Sequence, residues 1–169
     1  MPLFILLLAL LIIKPYFSGS FPYTRDGENH LARFANYKIA FKEGQFPPRF
    51  APNLMNHYGY PVFNYNYPLA NIISLPFSVL KINYEVSFKI IVFAFVLLGL
   101  IGSNLWLKDL GFKTRPRILA LLGLGFSPYL TNAITFRGNI GEIMAMGLFP
   151  LLLYLINRKN ITPKLPLLL

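Results

Sequence analysis

The chain has 169 residues, of which 55% are hydrophobic and 16% aromatic but only 13% charged. A soluble surface carries about twice that share of charge, so the composition excludes an ordinary water-facing domain and points to lipid as the solvent. The net charge of +10 does not require nucleic acid: Lys108, Lys113, Arg115, Arg117, Arg158 and Lys159 flank apolar runs, where anionic headgroups and the orientation rule for membrane helices account for them.

In chain order, Leu3 to Ile13 is an apolar run closed by Lys14 and Pro15. It is short of the roughly 17–25 residues that cross a bilayer, but extended to Phe17 it spans, with Lys14 reaching to the interface. A cleaved signal peptide ending near Ser18-Gly19-Ser20 is the rival. No basic segment precedes Leu3, which favours an uncleaved first span over 1–17. A long loop, 18–85, follows. Asp26 to Glu43 reads as a helix, with Asp26 as its cap and Gly44 as its stop. Its apolar stripe, Leu31, Phe34, Lys38 and Phe41, is expected to lie along the membrane. Pro47, Pro48 and Pro52 then hold the chain extended or turned, and aromatics crowd residues 58–67.

The apolar run 69–80 is too short to cross and reads as interfacial. Residues 86–107, 118–135 and 140–157 read as spans, with Pro128 tolerated inside a membrane helix. Residues 158–169 look like the start of a further run, so the chain reads as the N-terminal part of a larger protein. The expected fold is all-α and polytopic, with about four transmembrane helices and interfacial helices in the long first loop. Cations place the connectors at 108–117 and 158–159 in the cytoplasm. Charge counting alone leaves the side of 18–67 open, since that segment carries Arg25, Arg33, Lys38, Lys42 and Arg49. Asn160-Ile161-Thr162 matches a glycosylation acceptor, a pattern common by chance.

Without cysteine there is neither disulfide nor thiolate metal site, and the two histidines cannot form a three-histidine zinc site. The densest polar group runs from Thr24 to Arg33. On a helix Asp26, His30, Arg33 and Tyr37 are spaced 4, 3 and 4 apart and share one face. Carboxylate, imidazole and guanidinium together can accept a proton, bind a phosphate or help hold a divalent metal; a capped helix with a solvated polar face is the bland alternative. Arg137 and Glu142 form a second group at a membrane helix end, either a site or a pair that closes the loop. The aromatic stretch, Tyr60 included, can stack on sugars or form an interfacial belt.

Asp26-Gly27-Glu28-Asn29-His30-Leu31-Ala32-Arg33, Glu43-Gly44-Gln45-Phe46-Pro47-Pro48-Arg49-Phe50, Gly59-Tyr60-Pro61-Val62-Phe63-Asn64-Tyr65 with Tyr67-Pro68-Leu69, and Phe136-Arg137-Gly138-Asn139 with Glu142 fall in a familiar order. Over about residues 20–157 the chain resembles bacterial membrane proteins labelled "6-pyruvoyl-tetrahydropterin synthase-related", which look like relatives of the GT-C membrane glycosyltransferases. The label names a soluble three-histidine zinc enzyme, whereas the resemblance implies a long outer loop with an early active-site acid and a polyprenyl-phosphate-linked sugar donor. It thereby favours 18–67 outside a bacterial cytoplasmic membrane. Residue by residue, Asp26 matches the acid, with Glu28 as substitute. Arg33 and Arg137 are the candidates for the departing phosphate, and His30 and Glu142 for orienting these groups or holding a metal. Tyr37 and Tyr60 complete the candidate substrate contacts. GT-C enzymes have many more spans than the four counted here, so this stretch alone is expected to be inactive. A non-catalytic membrane protein, a transporter piece or an envelope-assembly subunit, is the alternative from another class; a transporter places ionisable groups near mid-membrane, and here the acids lie near run ends.

Overall fold

The computed structural model describes residues 1–17 and 19–158. The expected continuation beyond Arg158, with Asn160-Ile161-Thr162, lies outside the described residues, as does Ser18 of the candidate cleavage site. The described chain is helical and contains no strand; Ala51 and Tyr60 form an isolated bridge. In order come α1 (Pro2–Ile12), a 3₁₀ turn (Lys14–Phe17), α2 (Gly27–Lys42), a short 3₁₀ turn (Val62–Asn64), α3 (Leu69–Val79), α4 (Tyr84–Asp109), α5 (Thr114–Gly125), α6 (Pro128–Asn132), a π turn (Ala133–Arg137) and α7 (Ile140–Asn157).

Among the described residues three helices are long and apolar enough to cross a membrane: Tyr84–Asp109, Thr114–Arg137 and Ile140–Asn157. The middle one is broken at Phe126 and Ser127, because Pro128 lacks the N–H that an unbroken helix needs. The Ser127 hydroxyl caps the restart, accepting from the Leu130 N–H at 3.3 Å. The first run gives only an 11-residue helix, α1, before its 3₁₀ turn. It runs antiparallel to α4: Tyr16 packs on Phe88 near the start of α4, at 5.9 Å between rings, while Leu3 and Leu6 share a groove with Ile101 and Lys108 near its end.

Close packing between α4 and α7 follows from glycine. Gly99, Gly102 and Gly147 bring the two backbones together, so that a Cβ on Gly102 would lie 2.6 Å from the Leu151 nitrogen. Small residues at a helix seam permit this approach, and dispersion between the closely packed backbones stabilises it. Leu148, Phe149, Leu152, Leu155 and Ile156 of α7 remain exposed.

The polarity of α3 is inverted. Asn71, Ser74 and Ser78 are buried, while Ile72, Val79 and Leu80 at its outer surface are exposed. Such an arrangement suits an apolar surrounding rather than water. Helix α2 forms over the expected residues, and Gly44, at φ +88, ends it. Two expectations are corrected here. Its apolar stripe faces protein rather than only membrane: Phe34 is fully buried 6.5 Å from Phe88, and the Lys38 Nζ donates to the Ser78 carbonyl at 3.5 Å. Asp26 occupies the cap position without making the capping bond. Thr24 replaces it, its Oγ1 accepting from the Gly27 N–H at 3.1 Å.

Candidate functional site

The start of α2 and the link before α7 meet at one end of the molecule. The Arg25 N–H donates to the Phe136 carbonyl at 2.9 Å, and the Asp26 N–H to the Arg137 carbonyl at 2.8 Å. Such an approach requires glycine at the crossing. Gly138 adopts the left-handed region at φ +57, where a side chain is strained, and a Cβ there would run into the Thr24 side chain. The π turn over Ala133–Arg137 feeds this corner and brings Arg137 to the helix end.

Beside this joint lies an open cleft of about 380 Å³, lined by Asp26, His30 and Arg33 of the α2 segment, Tyr60, Tyr65, Asn66 and Tyr67 of the loop, and Asn139. The polar face expected from the 4-and-3 spacing is therefore real at Asp26, His30 and Arg33, but it turns inward to the cleft. His30 is buried, at 2% exposure. Burial first, and the Arg33 charge second, hold its imidazole down at about 3, so it is neutral at pH 7.

A chain of hydrogen bonds follows from that neutrality. Arg33 Nη1 lies 3.5 Å from His30 Nδ1 and, having no lone pair, donates to it. His30 Nε2 then carries the proton and donates to the Tyr67 hydroxyl at 3.2 Å. That hydroxyl also accepts from the Gly141 N–H at 3.1 Å and donates to Asn139 Oδ1 at 3.1 Å. Asn139 Nδ2 donates to Glu142 Oε1 at 3.3 Å. The Tyr67 hydroxyl is pushed above the ordinary tyrosine range, chiefly by burial, against the pull of the Gly141 N–H and Arg33, with Asp26 and Glu142 adding to the rise.

Glu142 closes the chain in a two-pronged pair with Arg137, at 2.8 and 2.7 Å, and also accepts from the Tyr129 hydroxyl at 2.8 Å. Arg137 thus has its charge balanced and does not line the cleft. Arg33 has no carboxylate in ion-pair range among the described residues, and the Asp26 carboxylate accepts no hydrogen bond there. They are the two uncommitted charges of the site.

The remaining candidates fall elsewhere. Tyr37 does not share the cleft: its ring is buried edge-on to Phe63 at 5.0 Å, in a small core with Ala51 and Val62. Glu28 is exposed on the first turn of α2, away from the cleft lining. Among the described residues no three His, Asp or Glu side chains converge as a metal-binding group. Tyr67 and Asn139 were not singled out by local pattern, although both stand in the segments that carry the resemblance. No protein-family model, curated protein or solved structure matches the chain.

Proposed function

We propose that this chain is a four-span integral membrane protein of a bacterial cytoplasmic membrane. Its cleft transfers a sugar from a polyprenyl-phosphate donor to an acceptor hydroxyl at the outer face, in the manner of GT-C glycosyltransferases. Support for the fourth span is the antiparallel run of α1 and its 3₁₀ turn along most of α4. Support for the side is the cationic connector near Lys108 and Lys113, at the end opposite the cleft.

One observation carries the catalytic reading: an unpaired carboxylate, Asp26, and an unpaired guanidinium, Arg33, line one tyrosine-walled cleft. In the reaction the acceptor oxygen bonds to the sugar's anomeric carbon while the carbon–oxygen bond to phosphate breaks. Asp26 takes the acceptor proton, and Arg33 stabilises the charge that develops on the departing polyprenyl phosphate. Tyr60 and Tyr65 offer ring faces to the sugar. Arg137 and Glu142 brace the cleft rather than contact the donor, and His30 and Tyr67 hold Arg33 and the loop in register.

The test is transfer of labelled sugar from polyprenyl-phosphate donors by a full-length homologous protein in lipid nanodiscs. General-base catalysis is worth about 10²–10⁴-fold, so Asp26→Asn is expected to lower the rate by at least about 100-fold while the thermal unfolding midpoint stays put. Undiminished transfer by Asp26→Asn sinks the assignment.

A further inference from the structure

At the end of the molecule opposite the cleft, α1, α4 and the first turn of α5 enclose a groove of about 790 Å³. Its walls are apolar: Leu3 and Leu6 on one side, Leu97, Ile101 and Leu105 on the other. Among the lining side chains only Asn104, Lys108 and Arg117, toward one end, are polar. Arg117 reaches across from α5 to α4, donating from Nη1 to Asn104 Oδ1 at 3.0 Å and from Nη2 to Thr114 Oγ1 at 3.3 Å. Both partners are neutral, and the Arg117 Nε is buried without a hydrogen-bond partner among the described residues.

Among the described residues no carboxylate forms an ion pair at this end. The adjacent acid, Asp109, is turned toward α7, where its Oδ2 accepts from the Asn157 amide at 3.1 Å. Lys113 and Arg115 add two more exposed cations beside the same turn. A long apolar slot closed by uncompensated cations at a helix end has the polarity of one ligand class, an acyl chain joined to an anionic headgroup. We infer that this groove holds an acidic phospholipid of the leaflet on the side of the 110–113 connector, its acyl chain on Leu6, Leu97 and Ile101 and its phosphate at Lys108 and Arg117. The inference needs a membrane around the protein but not sugar transfer, and it concerns the end remote from Asp26, so either can fail without the other.

Native mass spectrometry of the detergent-purified protein, delipidated and then supplied with phosphatidylglycerol or phosphatidylcholine at equal concentration, tests it. Phosphatidylglycerol is expected to be retained about thirtyfold better, as electrostatic attraction near 1 kcal/mol for each of the two cations implies. The preference should vanish in Lys108→Gln/Arg117→Gln and weaken in Lys108→Gln alone, whose exposed side chain the fold does not need. Ile101→Trp, which fills the slot, should lose both lipids. Equal retention of the two lipids by the unaltered protein overturns the inference. So does a preference that survives the double substitution, or binding of phosphatidylglycerol undiminished in Ile101→Trp because a second copy or another stretch of this chain fills the groove.

Discussion

At the scale of single residues the molecule turns on how neutral and charged groups divide the cleft. His30 is depressed to about 3 in the folded protein against an ordinary value near 6.5 unfolded. Between those values the unfolded chain binds a proton that the folded one refuses, so stability is full above about pH 6.5 and falls as pH drops toward 3. At pH 5 the loss is about 2 kcal/mol. Thermal unfolding in detergent at pH 7.5 and pH 5 should show it as a lower midpoint in acid, and His30→Gln should remove most of that difference. An acid loss as large in His30→Gln would mean that the imidazole is not held neutral by its surroundings. The three cleft residues of α2 were legible beforehand because a 4-and-3 spacing fixes one helix face. Tyr67 was not: its partner Asn139 stands 72 residues away, and no local periodicity links a loop tyrosine to a distant helix cap. Tyr37 misled for a related reason. Spacing puts it on the face of Asp26 and His30, but only the packed structure shows Phe63 and Val62 covering that part of the face.

At the scale of elements, the long apolar runs announced their helices, since length and hydropathy alone decide what can cross about 30 Å of hydrocarbon. The interruptions were less legible. Pro128 signalled a tolerated irregularity but not the cap by Ser127 or the π turn that follows, because these depend on which carbonyls the packing leaves to be satisfied. The α4–α7 seam was likewise unread, as scattered glycines gain meaning only when two helices present them to each other. Gly102 makes this testable. Its added Cβ would lie 2.6 Å from a backbone nitrogen of α7, whereas Gly123 on α5 has nothing within 4 Å. Gly102→Ala should therefore force the helices apart and destabilise the protein by about 1–3 kcal/mol, the usual cost of overpacking. Gly123→Ala should be neutral or stabilise by up to about 1 kcal/mol through helix propensity. Equal midpoints for the two variants in a detergent melt would show that α4 and α7 are not in backbone contact.

At the scale of the whole molecule, charge counting left the side of residues 18–67 undecided, because that segment carries as many cations as a cytoplasmic loop would. Geometry supplies the missing relation: residues 25 and 26 are hydrogen-bonded to 136 and 137, so the two segments share one end whatever the membrane does. With an odd number of crossings between 137 and the 110–113 turn, that turn belongs to the other side. The absence of cysteine makes the arrangement measurable by single-cysteine labelling in intact cells with an impermeant maleimide. Asn29→Cys and Phe136→Cys, the latter at a side chain 73% exposed, should both label from outside, and Phe112→Cys only after permeabilisation. Label at one of the first two but not the other would mean that the joint between them does not form in the membrane, and the cleft would go with it. Label at Phe112→Cys alone would keep the joint but place the cleft inside, where an outer-face sugar transfer has no acceptor.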